Sequence, residues 1–306
     1  MLVVTACGGP AEVPASRPVP QSAGSAADKP ADPLSAEELM ATVYWLTDPA
    51  RKGRGSYQPG GVEAANYVAN VFKRQGLEVI RQPVRGSAVN VFGVRRGSKE
   101  AVIVSAHADH LGVDVSGVVS PGADDNASGT AVMLGMAKAI DAIEGERTII
   151  FVAFGAEEAG LVGSRVYIRD PIWPLEDTVA LINFDMVGRN FFEAGANREA
   201  TAAVVGLEGH EGARRAATAA AQRAGLNLVP APARLLELFG FEDRTDEWWF
   251  RRQGILSIHF STGLHDDYHQ PTDTPDKLVP AQLERVARTA FGLLNYLASE
   301  KGESID

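Results

Sequence analysis

Glu157 and Glu158 stand side by side where an apolar run, Ile149-Ile150-Phe151-Val152-Ala153-Phe154, gives way to Gly155-Ala156. Two adjacent carboxylates at the end of a buried strand repel each other, and a bound cation or a shared proton relieves that repulsion. Taken alone, such a pair also fits a solvated acidic loop. Recurrence argues for the cation: the apolar run 101–106 ends in His107-Ala108-Asp109-His110, the run 179–184 ends in Asp185, and the run 255–260 precedes His265 and His269. Histidine and carboxylate ligands without thiolate suit zinc, cobalt or manganese in a hydrolytic site rather than a structural finger. One zinc needs only three protein ligands, whereas this set offers five or six, so two metals bridged by a carboxylate are expected. Asp125, in Gly122-Ala123-Asp124-Asp125-Asn126, suits the bridge because its loop faces the same edge.

The elements that must position these residues alternate. Ser35 with Glu38 reads as a capping box opening a helix through Leu46. A loop at Arg51–Gly55 follows, then a second helix from Gly61 to Gly76 with Ala65, Val68, Ala69 and Phe72 on one face. Strands are expected around Val79 and over Val89–Val94, and further helices over Ala127–Ile143, Gly209–Ala224 and Val279–Leu297. Apolar runs alternating with helices predict a single α/β domain, a mostly parallel mixed sheet with helices on both faces. In such sheets, sites form beyond the carboxyl ends of the strands, where the ligand candidates fall.

The chain of 306 residues is 45% hydrophobic, enough for a sizeable core, and carries a net charge of −10 with no long Lys/Arg cluster. Nucleic acid is excluded as a partner on that ground. No run of eighteen apolar residues exists, so no transmembrane helix is expected. The single cysteine, Cys7, rules out an internal disulfide or a Cys-based zinc site. Val4-Thr5-Ala6-Cys7 resembles the lipobox of bacterial lipoproteins, which makes Cys7 the candidate for a lipid anchor and implies a cell-envelope or extracellular location. Only six residues precede Cys7, so this reading expects a longer upstream frame. Residues 8–34 hold six of the 17 prolines and no aromatic residue, as a flexible tether does. The expected division is a signal remnant and tether over 1–34, a catalytic domain over 35–300 and a tail over 301–306.

Five motifs in order, Ala106-His107-x-Asp109-His110, Gly122-Ala-Asp-Asp-Asn-Ala-Ser-Gly129, Ala153-Phe-Gly-Ala-Glu-Glu158, Asn183-Phe-Asp-Met-Val-Gly188 and Tyr268-His-x-Pro-x-Asp-Thr274, resemble the co-catalytic zinc aminopeptidases of the aminopeptidase Y family, relatives of glutamate carboxypeptidase and glutaminyl cyclase. The resemblance implies two zinc ions: His107 and Asp185 on one, Glu158 and His269 on the other, Asp125 bridging. It implies that Asp109 fixes the tautomer of His107, that Glu157 is the general base acting on a metal-held water, and that the Asp125-Asn126 peptide is cis. The substrate implied is a peptide with a free N-terminus. Tyr268 is the candidate donor to the developing oxyanion, against simple packing beside an apolar wall. Thr245-Asp246-Glu247 departs from the Ser-Asp-His usual in relatives, which leaves the substrate contacts there open, and Trp248-Trp249-Phe250 reads as core rather than as a specificity pocket.

His259, inside an apolar strand, reads as a core histidine with a hydrogen-bond partner, His210 as solvated, and His110 and His265 as neighbours rather than ligands. Asp124 reads as a loop brace. Carboxypeptidase or dipeptidase action is the alternative within the fold and would need a basic pocket, for which Arg189 and Arg244 are candidates. A one-metal glutaminyl cyclase conflicts with the complete ligand set. A non-catalytic binding module conflicts with Glu157 and that same set, since fold alone does not separate the three.

Overall fold

The computed structural model describes residues 31–193, 196–231 and 244–299. Cys7, nearly all of the Pro-rich tether and the tail 301–306 lie outside the described residues. Among the described residues no helix is long and apolar enough to cross a membrane.

Every residue of β6 (Thr148–Phe154) is buried, and its side chains alternate between two cores. Ile149, Phe151 and Ala153 enter one, Ile150, Val152 and Phe154 the other, as a strand covered on both faces requires. Burying each of the large side chains contributes about 1.5–3 kcal/mol, so β6 is fixed in register from both sides. Its neighbours β3 (Ala101–His107), β7 (Thr178–Phe184) and β12 (Leu256–Ser261) run parallel to it in the order β6-β3-β7-β12.

Outside this parallel centre the sheet turns antiparallel. The hairpin of β1 (Glu78–Arg85) and β2 (Ala88–Arg95) joins at β6 through β2, and β10 (Thr201–Val205) pairs antiparallel with β12. Beyond β10 lies β11 (Asn227–Ala231), parallel to it, giving eight strands. Small hairpins β4/β5 (Gly112–Val113, Val119–Ser120) and β8/β9 (Phe191–Glu193, Ala196–Arg198) stand apart. The mixed sheet thus matches expectation, although short, Ala-rich β10 and partly exposed β11 were not anticipated.

Helices α1 (Ala36–Thr47), α2 (Pro59–Arg74), α3 (Gly129–Lys138), α5 (Glu211–Ala224) and α7 (Pro280–Ala298) share the larger core. The opposite face is covered by α4 (Val162–Arg169) and α6 (Glu247–Arg251), with Tyr167, Phe250 and Trp249 in its core. Phe250 is therefore core, as read from sequence. Ser35 caps α1 by accepting from the Glu38 amide at 3.4 Å, while the Glu38 carboxylate pairs with Lys138 instead of closing the box. The helix expected to start at Ala127 starts at Gly129 and ends at Lys138, because residues 123–128 form a wide turn of their own.

Candidate metal centre

That wide turn brings Asp125 to the middle of the site. Its flanking glycines are steric requirements: Gly122 has φ +61 and a Cβ there would meet the Asp125 carbonyl at 2.2 Å, while one on Gly129 would meet the Phe184 carbonyl at 2.6 Å. The Asp273 carboxylate accepts from the amides of Asp124 and Asp125 at 2.9 and 3.1 Å, and Asp124 Oδ1 accepts from Gly188 N at 2.7 Å, so Asp124 does brace the loop. The Asp125-Asn126 peptide is cis.

Arg54 ties the same turn to the His107 loop from beneath. It is completely buried and donates to the carbonyls of Leu46, Ala108, Pro121 and Gly122 at 2.6–3.1 Å. Burial lowers its pKa to about 10 against the opposing pull of Asp125, Asp109, Asp273 and Glu158, so it stays cationic. Sequence reading placed it only in a loop.

The side chains expected to hold metal converge. His107 Nε2 lies 3.4 Å from Asp125 Oδ1 and 3.4 Å from Asp185 Oδ1. His269 Nε2 lies 3.2 Å from Asp125 Oδ2 and 3.2 Å from Glu158 Oε2. The two oxygens of Asp125 thus face two different imidazoles. Two chelating sets result, His107/Asp125/Asp185 and His110/Asp125/Glu158, with donor atoms within 4.8 Å of one another. The second set shows that Glu158 has two imidazoles beside it: His110 Nδ1 donates to Oε1 at 2.7 Å, whereas His269 faces Oε2 and the open cavity.

His107 donates from Nδ1 to the backbone carbonyl of Asp109 at 3.2 Å, which leaves Nε2 facing the carboxylates. The hydrogen bond that fixes this tautomer therefore comes from the main chain of Asp109, whose carboxylate oxygen is 4.0 Å away. That carboxylate instead accepts from Ser56 Oγ at 2.5 Å and from the Glu157 amide at 3.2 Å. Glu157 itself lies 3.9 Å from His107 Nε2.

Charge here is lopsided, with the carboxylates of Asp109, Asp125, Glu157, Glu158, Asp185 and Asp246 grouped around three imidazoles. Burial pushes the Glu157 carboxyl well up, and Asp246, Asp185 and Glu158 add to it against His107. Burial likewise carries Asp246 up to about 7. For His107 burial works the other way, yet Glu157, Asp185 and Asp125 outweigh it and hold the ring well above its usual range. Burial also opposes the charge on His269, yet hydrogen bonds to Asp125 and Glu158 raise its pKa to about 10. Buried Asp185 Oδ1 has no hydrogen-bond partner. An excess of buried carboxylate around imidazole nitrogens, with an unpartnered oxygen among them, is a donor set made for divalent cations, and the residues fit two such ions.

The remaining expected residues are dispersed more widely. Tyr268 lines the cavity and stacks on His269 with ring centroids 3.8 Å apart. Burial and the surrounding carboxylates push its phenol far up, so it keeps its proton. His265 Nε2 is 3.2 Å from Asp124 Oδ2, outside both sets. Arg189 pairs with Asp267 and donates to the Lys277 carbonyl, which commits it to the loop rather than to a substrate carboxylate. Arg54, Ser56, Asp246 and Asp273 were not anticipated as parts of the site. Of these, Asp273 carried a signal by standing in the His269 motif, and Asp246 by standing in Thr245-Asp246-Glu247, where the substrate contacts were left open.

Comparison with known proteins agrees with this geometry. Over 111 residues the chain is 39% identical to aminopeptidase YwaD of Bacillus subtilis, covering 34% of this chain and 23% of that one. It is 32% identical over 170 residues to a probable leucine aminopeptidase of Trichophyton verrucosum, covering 51% and 44%. The chain therefore matches less than half the length of either relative. Its fold is similar to that of BSAP, a zinc aminopeptidase from Bacillus subtilis, with a TM-score of 0.72 at 17% identity over 90% of this chain and 98% of that one. Since residues 90–294, which carry every candidate ligand, match the model of peptidase family M28, the chain belongs to that family.

Proposed function

We propose that the chain is a metallo-aminopeptidase that removes the N-terminal residue of a peptide with a free amino group. The observation that carries this reading is Asp125, whose two oxygens face His107 and His269 separately with Glu157 beside them at a cavity of about 270 Å³. His107 and Asp185 would hold one zinc, Glu158 and His269 the other, and Asp125 both. His269 is preferred to His110 as the second imidazole because it opens on the cavity, while His110 spends Nδ1 on Glu158. Bound there, the two cations would supply Lewis acidity toward the scissile carbonyl and the attacking water.

The chain's own groups do the rest. Glu157, kept proton-hungry by burial and by neighbouring carboxylates, takes the proton of the attacking water and passes it to the leaving amine. Asp109 holds the Glu157 backbone in place through its amide. Tyr268, protonated and facing the cavity, donates to the oxyanion as charge develops. The carboxylate excess draws a substrate ammonium, and Met186, Val205 and Leu264 form an apolar wall for its first side chain. Elemental analysis of the purified protein should find two zinc ions per chain. Aminoacyl nitroanilides should be cleaved and N-blocked peptides left intact; turnover of blocked peptides alone would overturn the reading.

The Val4-Thr5-Ala6-Cys7 stretch supports attachment to the cell envelope through a lipid on Cys7. Mass spectrometry of the N-terminal peptide from the native host tests this, and an unmodified Cys7 would remove it.

A further inference from the structure

We infer that His259 selects the N-terminal residue by donating a hydrogen bond from Nε2 to a side chain that ends in a neutral carbonyl oxygen, as glutamine does. The inference rests on the aminopeptidase reading for its substrate, but the donor itself follows from the hydrogen-bond pattern. Along β12, Ile258 and Phe260 enter the larger core, so His259 points to the face covered by α6. There it lines the same cavity as His107, Glu157 and Asp185.

Its tautomer is set from behind. Ser105 Oγ donates to Asn183 Oδ1 at 2.7 Å, which turns the amide nitrogen of Asn183 the other way. That nitrogen lies 3.4 Å from Glu247 Oε2 and 3.3 Å from His259 Nδ1, and an amide N–H facing a ring nitrogen needs a lone pair there. Glu247 Oε2, at 3.6 Å from Nδ1, is too far to take a proton from it. Nδ1 is therefore the acceptor, and in the neutral ring the proton sits on Nε2.

The cavity around this donor has an apolar part, with Met186, Ala203, Val205 and Leu264 among its walls, beside the polar Thr245 and Ser261 and the cationic Arg244. An occupant without an acceptor would leave a desolvated N–H unpaired, the situation in which a binding site discriminates most strongly. A carboxylate side chain would supply an acceptor but would meet Asp185, Glu157 and buried Glu247, while Arg244 on the same cavity already has an interaction of its own. A neutral amide satisfies the donor without that repulsion.

Two measurements test this. Nitrogen-15 spectra of the histidine rings should place the proton of His259 on Nε2; a proton on Nδ1 overturns the inference. The kcat/KM ratio of glutaminyl over leucyl nitroanilide should fall about tenfold or more in H259F and recover in H259Q, with zinc content followed alongside. An unchanged ratio in an enzyme still cleaving both substrates, or equal losses on both that track lost zinc, would make His259 structural. A wild-type chain that cleaves no aminoacyl nitroanilide would instead remove the aminopeptidase reading and the substrate with it, while the ring spectra still decide the donor.

Discussion

The two halves of the centre use the same chemistry but are held in different ways. His107 ends β3 and Asp185 follows β7, two strands paired with each other in the buried middle of the sheet. The His107 side chain is 3% exposed and locked by the Asp109 carbonyl. On the other side, His269 rises from a loop with φ +59, its side chain 35% exposed, stacked on Tyr268 and facing Asp125 and Glu158. Glu158, its partner, sits in the turn after β6 and depends on His110 for its orientation. One half is built on the scaffold; the other is assembled from loops. Rigid placement of donors lowers the ordering cost of metal binding, so the His107 half should hold its ion more tightly.

The residue common to both halves gives the largest expected effect. Asp125→Ala removes one donor from each set, and metal content should fall from two ions to near none, with activity at background. Retention of one full equivalent would mean that Asp125 does not serve both halves. Glu157→Gln keeps shape and touches neither half, so both ions should stay while kcat falls by about 10²–10⁴-fold, the usual worth of a general base. Unchanged turnover would show that another group moves the proton.

A finer division follows from His269→Ala against His107→Ala. The former should leave one ion bound and the latter should weaken both halves, because the ring of His107 anchors the oxygen of Asp125 that faces it. Chelator titration of the wild-type chain should likewise release zinc in two steps, and binding to His269→Ala should reproduce the tighter step alone. A single cooperative release, with equal losses in the two variants, would erase the contrast between scaffold and loop.

That contrast also marks what the sequence could reveal. The scaffold half was legible, since an apolar run ending in a lone His or Asp has few explanations, and β3, β6, β7 and β12 formed where the runs predict. In the loop half Glu158 was legible at the end of its apolar run, but His269 only through its motif, because no periodicity says which of His265 and His269 turns inward. The supports of both halves were largely hidden. Arg54 lies among glycines and basic residues, a context that reads as solvated, and its burial arises from four carbonyls contributed by segments far apart in the chain. Asp109 was assigned to His107 by its side chain, but the tautomer is set by its main chain, which carries no residue identity at all. The α6 segment gave an aromatic run that reads as core and, at Glu247, a departure from the familiar pattern. Only the fold shows that this acid lies buried beside His259.

The smallest effect worth measuring concerns how the loop half borrows rigidity. His110 is completely buried, comes from the His107 loop and donates to Glu158, so it ties the turn carrying Glu158 to the scaffold-held side. Partners that orient a ligand from behind typically cost about 10–100-fold in metal affinity when removed. His110→Phe keeps an aromatic ring and deletes the donor. It should weaken only the second, looser step of zinc binding by that amount, leaving the tighter step and the Glu157-dependent kcat at saturating zinc nearly intact. If the tighter step weakens instead, His110 steadies Asp125, 3.8 Å away, more than it steadies Glu158, and the boundary between the two halves runs through Asp125 rather than beside it.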